Sequence, residues 1–81
     1  MPMSQLKVDL FHLACQNIVD NENEKSLNYA VNYASYGLIL GTYDEAEIKI
    51  QALYILNNMT KWRGDVAKET RLILKSMKEE N

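Results

Sequence analysis

His12 is the only histidine in the chain, and on a helix it shares a face with Asp9 and Gln16, three residues before it and four after. An aspartate at that spacing can orient an imidazole or join it on a metal ion. Two protein ligands do not make a closed or catalytic metal site, however, and Cys15 projects about 100° away round the helix. The face therefore reads as a solvated polar one, and Cys15, the only cysteine, as a small buried hydrophobe. The acids Asp44, Glu45 and Glu47 cluster where a helix begins, and a helix start attracts carboxylates through its dipole and its free amides without any chemistry. Gly37, Gly41 and Gly64 lie too far apart for a phosphate-binding loop. No nucleophile, base or metal set comes together, so a non-enzymatic protein is expected, with no catalytic residue, metal or cofactor assigned.

The aromatic residues carry more information. Tyr29, Tyr33 and Tyr36 stand at i, i+4 and i+7, opposite a stripe of Leu27, Val31, Ala34 and Leu38 on the same helix. One stripe must face the core, and exposed tyrosines at helical spacing are a residue type enriched at protein interfaces. Tyr29, Tyr33 and Tyr36, with Trp62 and Arg63, are accordingly the expected protein-binding residues.

Charge suggests a second reading. Residues 1 to 60 hold three bases and seven acids, whereas residues 61 to 81 hold six bases and four acids. Lys68, Arg71, Lys75 and Lys78 fall within one arc of a C-terminal helix, preceded by Lys61, Trp62 and Arg63. Such a strip could track phosphates, with Trp62 stacking on a base, and the alternative function is a nucleic-acid-associated regulator using Lys61, Arg63, Lys68, Arg71 and Lys75. A solvated helix face looks the same, and Glu69, Glu79 and Glu80 dilute the field. A helix-turn-helix comparison fails on charge, because the reading helix would push Asp44, Glu45 and Glu47 toward the phosphates.

The elements that position these residues are all helical. Ser4 is a natural N-cap for a helix over about 5–20, whose expected stripe is Leu6, Leu10, Leu13 and Ala14. The polar run from Asp20 to Ser26 forms a turn, and a second helix spans about 24–40 and ends at Gly41 in the left-handed conformation. Thr42-Tyr43-Asp44-Glu45 fits a capping box, which starts a third helix over about 43–60. That helix has only Glu47, Gln51 and Asn58 as a polar arc, so it is either central to a bundle or faces both a core and a partner. Gly64 breaks the pattern, Asp65 can cap, and a fourth helix over about 66–78 buries Val66, Thr70, Ile73, Leu74 and Met77. A single kinked helix through Gly64 is the alternative, since glycine costs only about 1 kcal/mol in a helix interior.

Eighty-one residues suffice for one domain of three to four helices, which is the expected all-α bundle. A chain this short is marginally stable alone, and a lone cysteine cannot staple it, so self-association is expected. The opening Met1-Pro2-Met3-Ser4 is read as neither signal nor anchor, and no apolar run is long enough for a membrane span. With a single cysteine, a reducing cytoplasm is the expected setting, and a net charge of −2 is too small to name a partner. Together these readings describe a self-associating accessory or regulatory module that binds a protein partner, of the small kind that phages and mobile elements encode.

Overall fold

The computed structural model describes residues 2–78, the side chain of Lys78 excepted. Four α-helices and one short 3-10 turn follow in chain order: α1 (Gln5–Asp20), the turn Lys25–Leu27, α2 (Ala30–Gly37), α3 (Glu45–Asn57) and α4 (Asp65–Lys78). No strand occurs among the described residues. Each helix packs on two neighbours, α1 and α3 each lying between α2 and α4, so the helices close into a four-cornered bundle.

α1 begins where the sequence demands. The Ser4 hydroxyl accepts from the Lys7 amide at 3.2 Å, satisfying one of the free donors of the first turn. Its buried face is not the expected one. Val8, Phe11, Ala14, Cys15 and Ile18 point into the core, while Leu6, Leu10 and Leu13 stay exposed. Both stripes follow the helical period, and the one carrying Phe11 is inside because Phe11 and Cys15 seat against Gly37, which has no side chain to hold α2 away.

The second helix is shorter than the expected 24–40. Residues Lys25–Leu27 take 3-10 geometry, α2 proper covers eight residues, and the chain leaves it through Leu40 N–H to Gly37 carbonyl at 3.1 Å. Leu27, Ala30 and Ala34 are buried and Val31 and Leu38 half-buried, so this stripe faces the core and the tyrosines face outward.

The α2–α3 turn departs from the expected geometry at Gly41 and at Thr42. Gly41 does not adopt the left-handed conformation; among the described residues only Gly64 does, at φ 112°. Nor does the capping box form. The Asp44 carboxylate accepts the Gly41 amide at 2.8 Å, and the Asp44 amide donates to the Gly41 carbonyl at 3.0 Å. That closed turn sets Glu45 as the first helical residue, which leaves Thr42 outside the cap position. The Thr42 carbonyl instead accepts the Met3 amide at 2.8 Å, which straps the N-terminal segment over the turn.

Gly64 separates α3 from α4, and the continuous-helix alternative does not hold. A non-glycine residue at φ 112° would be strained, so the chain can reverse here only at this glycine. α4 buries Ala67, Thr70, Leu74 and Met77, with Ile73 half-buried and Val66 exposed rather than in the stripe. The buried Thr70 hydroxyl accepts from Asn17 Nδ2 at 3.0 Å, a polar tie that sets how α4 lies along α1.

Candidate protein-binding surface

The residues with chemical potential are dispersed. His12 turns inward and its Nε2 donates to the Leu40 carbonyl at 2.7 Å; a carbonyl only accepts, so that nitrogen carries the hydrogen. Asp9 accepts from Gln5 and Gln16 donates to Asp20, each one helical turn away, so the expected Asp9, His12 and Gln16 face does not act as a unit. Cys15 is fully buried, and burial pushes its thiol up to about 12. Among the described residues no three His, Cys, Asp or Glu side chains are placed to hold a metal ion. None of the described helices is long and apolar enough to cross a membrane.

One tyrosine of α2 meets one of α3. Tyr29 precedes the first turn of α2 and is 72% exposed; Tyr36 is exposed one turn past Tyr33. Tyr33 is half-buried because its ring packs on Tyr54 of α3, with centroids 5.3 Å apart and planes tilted by 49°. Such tilted pairs are favoured by the ring quadrupoles. The pair joins the α2 tyrosines to the outer face of α3, where Ala46, Ile50, Leu53 and Asn57 are also exposed. Helical spacing sets Tyr54 on the same side of α3 as these residues, but its place beside Tyr33 depends on how α2 and α3 pack.

No protein-family model, curated protein or solved structure matches this chain.

Trp62 leaves the expected surface. It is 6% exposed and belongs to the core, so its ring cannot stack on a partner or a base from that position. Arg63 is exposed, and its Nη1 donates to the Thr60 and Trp62 carbonyls in the α3–α4 turn. The basic strip is divided in the same way. Lys61, Lys68 and Lys75 are exposed, but Arg71 is half-buried and its Nη2 donates to the Trp62 carbonyl at 2.9 Å and the Met59 carbonyl at 3.4 Å. Arg71 thus ties α4 to the end of α3, where free carbonyls collect. Leu72, also exposed, interrupts the strip with apolar surface. Glu79, Glu80 and the Lys78 side chain lie outside the described residues.

One polar residue is out of place. Gln51, expected on the polar arc of the third helix, is 8% exposed, and its Oε1 accepts no hydrogen bond. It lies on the same helix as the exposed Ile50 and Leu53, so α3 buries a polar group while it exposes apolar ones.

Proposed function

We propose that this chain is a small non-enzymatic helical interaction module, self-associating and cytoplasmic, that serves an accessory or regulatory role of the phage or mobile-element type. The observation that carries the reading is the Tyr33–Tyr54 pair, which links exposed Tyr29 and Tyr36 to the exposed apolar face of α3 in one surface. Aromatic side chains present large contact area at low entropic cost, and exposed clusters of this kind mark protein contacts. Trp62 is buried and no part of this surface, and Arg63 lies in the α3–α4 turn, where its Nη1 donates to backbone carbonyls.

The nucleic-acid reading rests on Lys61, Arg63, Lys68 and Lys75, since Arg71 is occupied by backbone carbonyls. The experiment compares two variants, each first shown folded by circular dichroism. Tyr29→Ser with Tyr36→Ser should lose a protein partner captured from the native host, while Lys68→Gln with Lys75→Gln should keep it. Salt-dependent retention on nucleic acid that vanishes only in the charge variant would reverse the assignment.

A further inference from the structure

α3 is apolar on two sides, and its outer side has a specific pattern. Ala46, Ile50, Leu53 and Asn57 are all exposed, and their spacings of four, three and four residues are those of a coiled-coil seam. In that register Ile50 and Asn57 take a positions and Ala46 and Leu53 take d positions. Ile50 and Leu53 form the apolar centre of the seam, with Ala46 and Asn57 at its two ends. A small residue at one end and a polar one at the other make the seam self-complementary when it is reversed on itself.

Charge selects the orientation. The first turn of α3 carries the exposed Glu47 beside Glu45, which pairs with Lys49 at 3.4 Å, and the turn after its end carries the exposed Lys61 beside Arg63, whose Nη1 donates to backbone carbonyls. A parallel copy would set acids beside acids and bases beside bases. An antiparallel copy sets the acids of each chain toward the bases of the other and opposes the two helix dipoles.

We infer that the outer seam of α3 binds a second copy of this chain in an antiparallel, two-fold contact. Ile50 of each copy faces Leu53 of the other, and Ala46 faces Asn57. Because the operation is two-fold, the contact closes at a dimer and leaves no free seam. The inference rests on the self-association proposed above; it assigns the α3 part of the joined surface to the second copy and leaves Tyr29 and Tyr36 for another protein.

Sedimentation equilibrium and directed cross-linking test it separately from partner capture. Wild type should be a dimer at high micromolar concentration, and Leu53→Lys a folded monomer. Ala46→Cys and Asn57→Cys, prepared as separate single variants, should link to each other under mild oxidation when mixed. Neither should link to itself, because in the antiparallel contact identical positions lie about 16 Å apart along the axis, well beyond disulfide reach. Buried Cys15 does not compete. Glu47→Lys and Lys61→Glu should each weaken the dimer, and the double variant should restore it. A monomeric wild type, a dimer that survives Leu53→Lys, or self-links at Ala46→Cys would each overturn the inference.

Discussion

Gly37 of α2 lies directly over Cys15 of α1, so closely that a Cβ at position 37 would stand 2.7 Å from the Cys15 Sγ and 2.9 Å from the Phe11 Cζ. This contact decides the first corner of the bundle. It admits α2 to the face of α1 that carries Phe11 and leaves Leu6, Leu10 and Leu13 outside.

Gly37→Ala is the direct test of that contact. Overpacking a tight site costs about 1–3 kcal/mol, and the gain in helix propensity returns at most about 1 kcal/mol, so a net loss of about 1–2 kcal/mol is expected. Adding Cys15→Ala to Gly37→Ala should recover part of the loss measured by urea denaturation, because the closest atom is then gone. An unchanged midpoint in the single variant would mean that α2 can move away freely.

The α2–α3 turn makes opposite forecasts for two neighbouring residues. Asp44→Ala removes the acceptor of the Gly41 amide and should cost about 1 kcal/mol. Thr42→Ala leaves the backbone bond to Met3 intact and should change stability by less than about 0.5 kcal/mol. The reverse order in thermal melts would restore the capping box.

Arg71 and the lysines beside it should separate cleanly. Arg71→Gln strands carbonyls of Met59 and Trp62, and for a half-buried group the expected loss is about 1 kcal/mol. Lys68→Gln and Lys75→Gln, both at exposed positions, should fall within about 0.5 kcal/mol of wild type. Chemical denaturation of the three variants side by side is sufficient, and a costly lysine variant would place unseen partners on that face.

Cys15 supplies a pH dependence. Burial raises its thiol from 9.0 to about 12, so the folded chain holds its proton where the unfolded chain has released it. The thiol's contribution to stability is therefore fully present below pH 9 and is lost as pH rises toward 12. Denaturation midpoints should fall over that window more steeply in wild type than in Cys15→Ala. The folded thiol should also resist alkylation at neutral pH and react only on unfolding; rapid modification of folded protein would show that the site is open.

The sequence alone determined what depends on near neighbours. The all-α class and the bounds of α1 with its Ser4 cap follow from helical period and a hydroxyl beside free amides, whereas the sequence left α3 and α4 either broken or continuous at Gly64. These are interactions within a few residues, so they survive without knowledge of the rest of the chain. Tertiary structure decided every choice between two locally equal options. Leu10 and Phe11 both lie on helical stripes of α1, and only the fit to Gly37 sends Phe11 inside. Trp62 reads as surface until the turn folds it under, with Arg71 holding the carbonyl beside it. Thr42 reads as a cap until the Asp44 carboxylate takes the Gly41 amide and moves the helix start. Tyr33 and Tyr54 are 21 positions apart in the chain and meet only because α2 and α3 share a side of the bundle. Each of these outcomes turns on steric fit between segments distant in sequence, and close packing makes that fit nearly all-or-none.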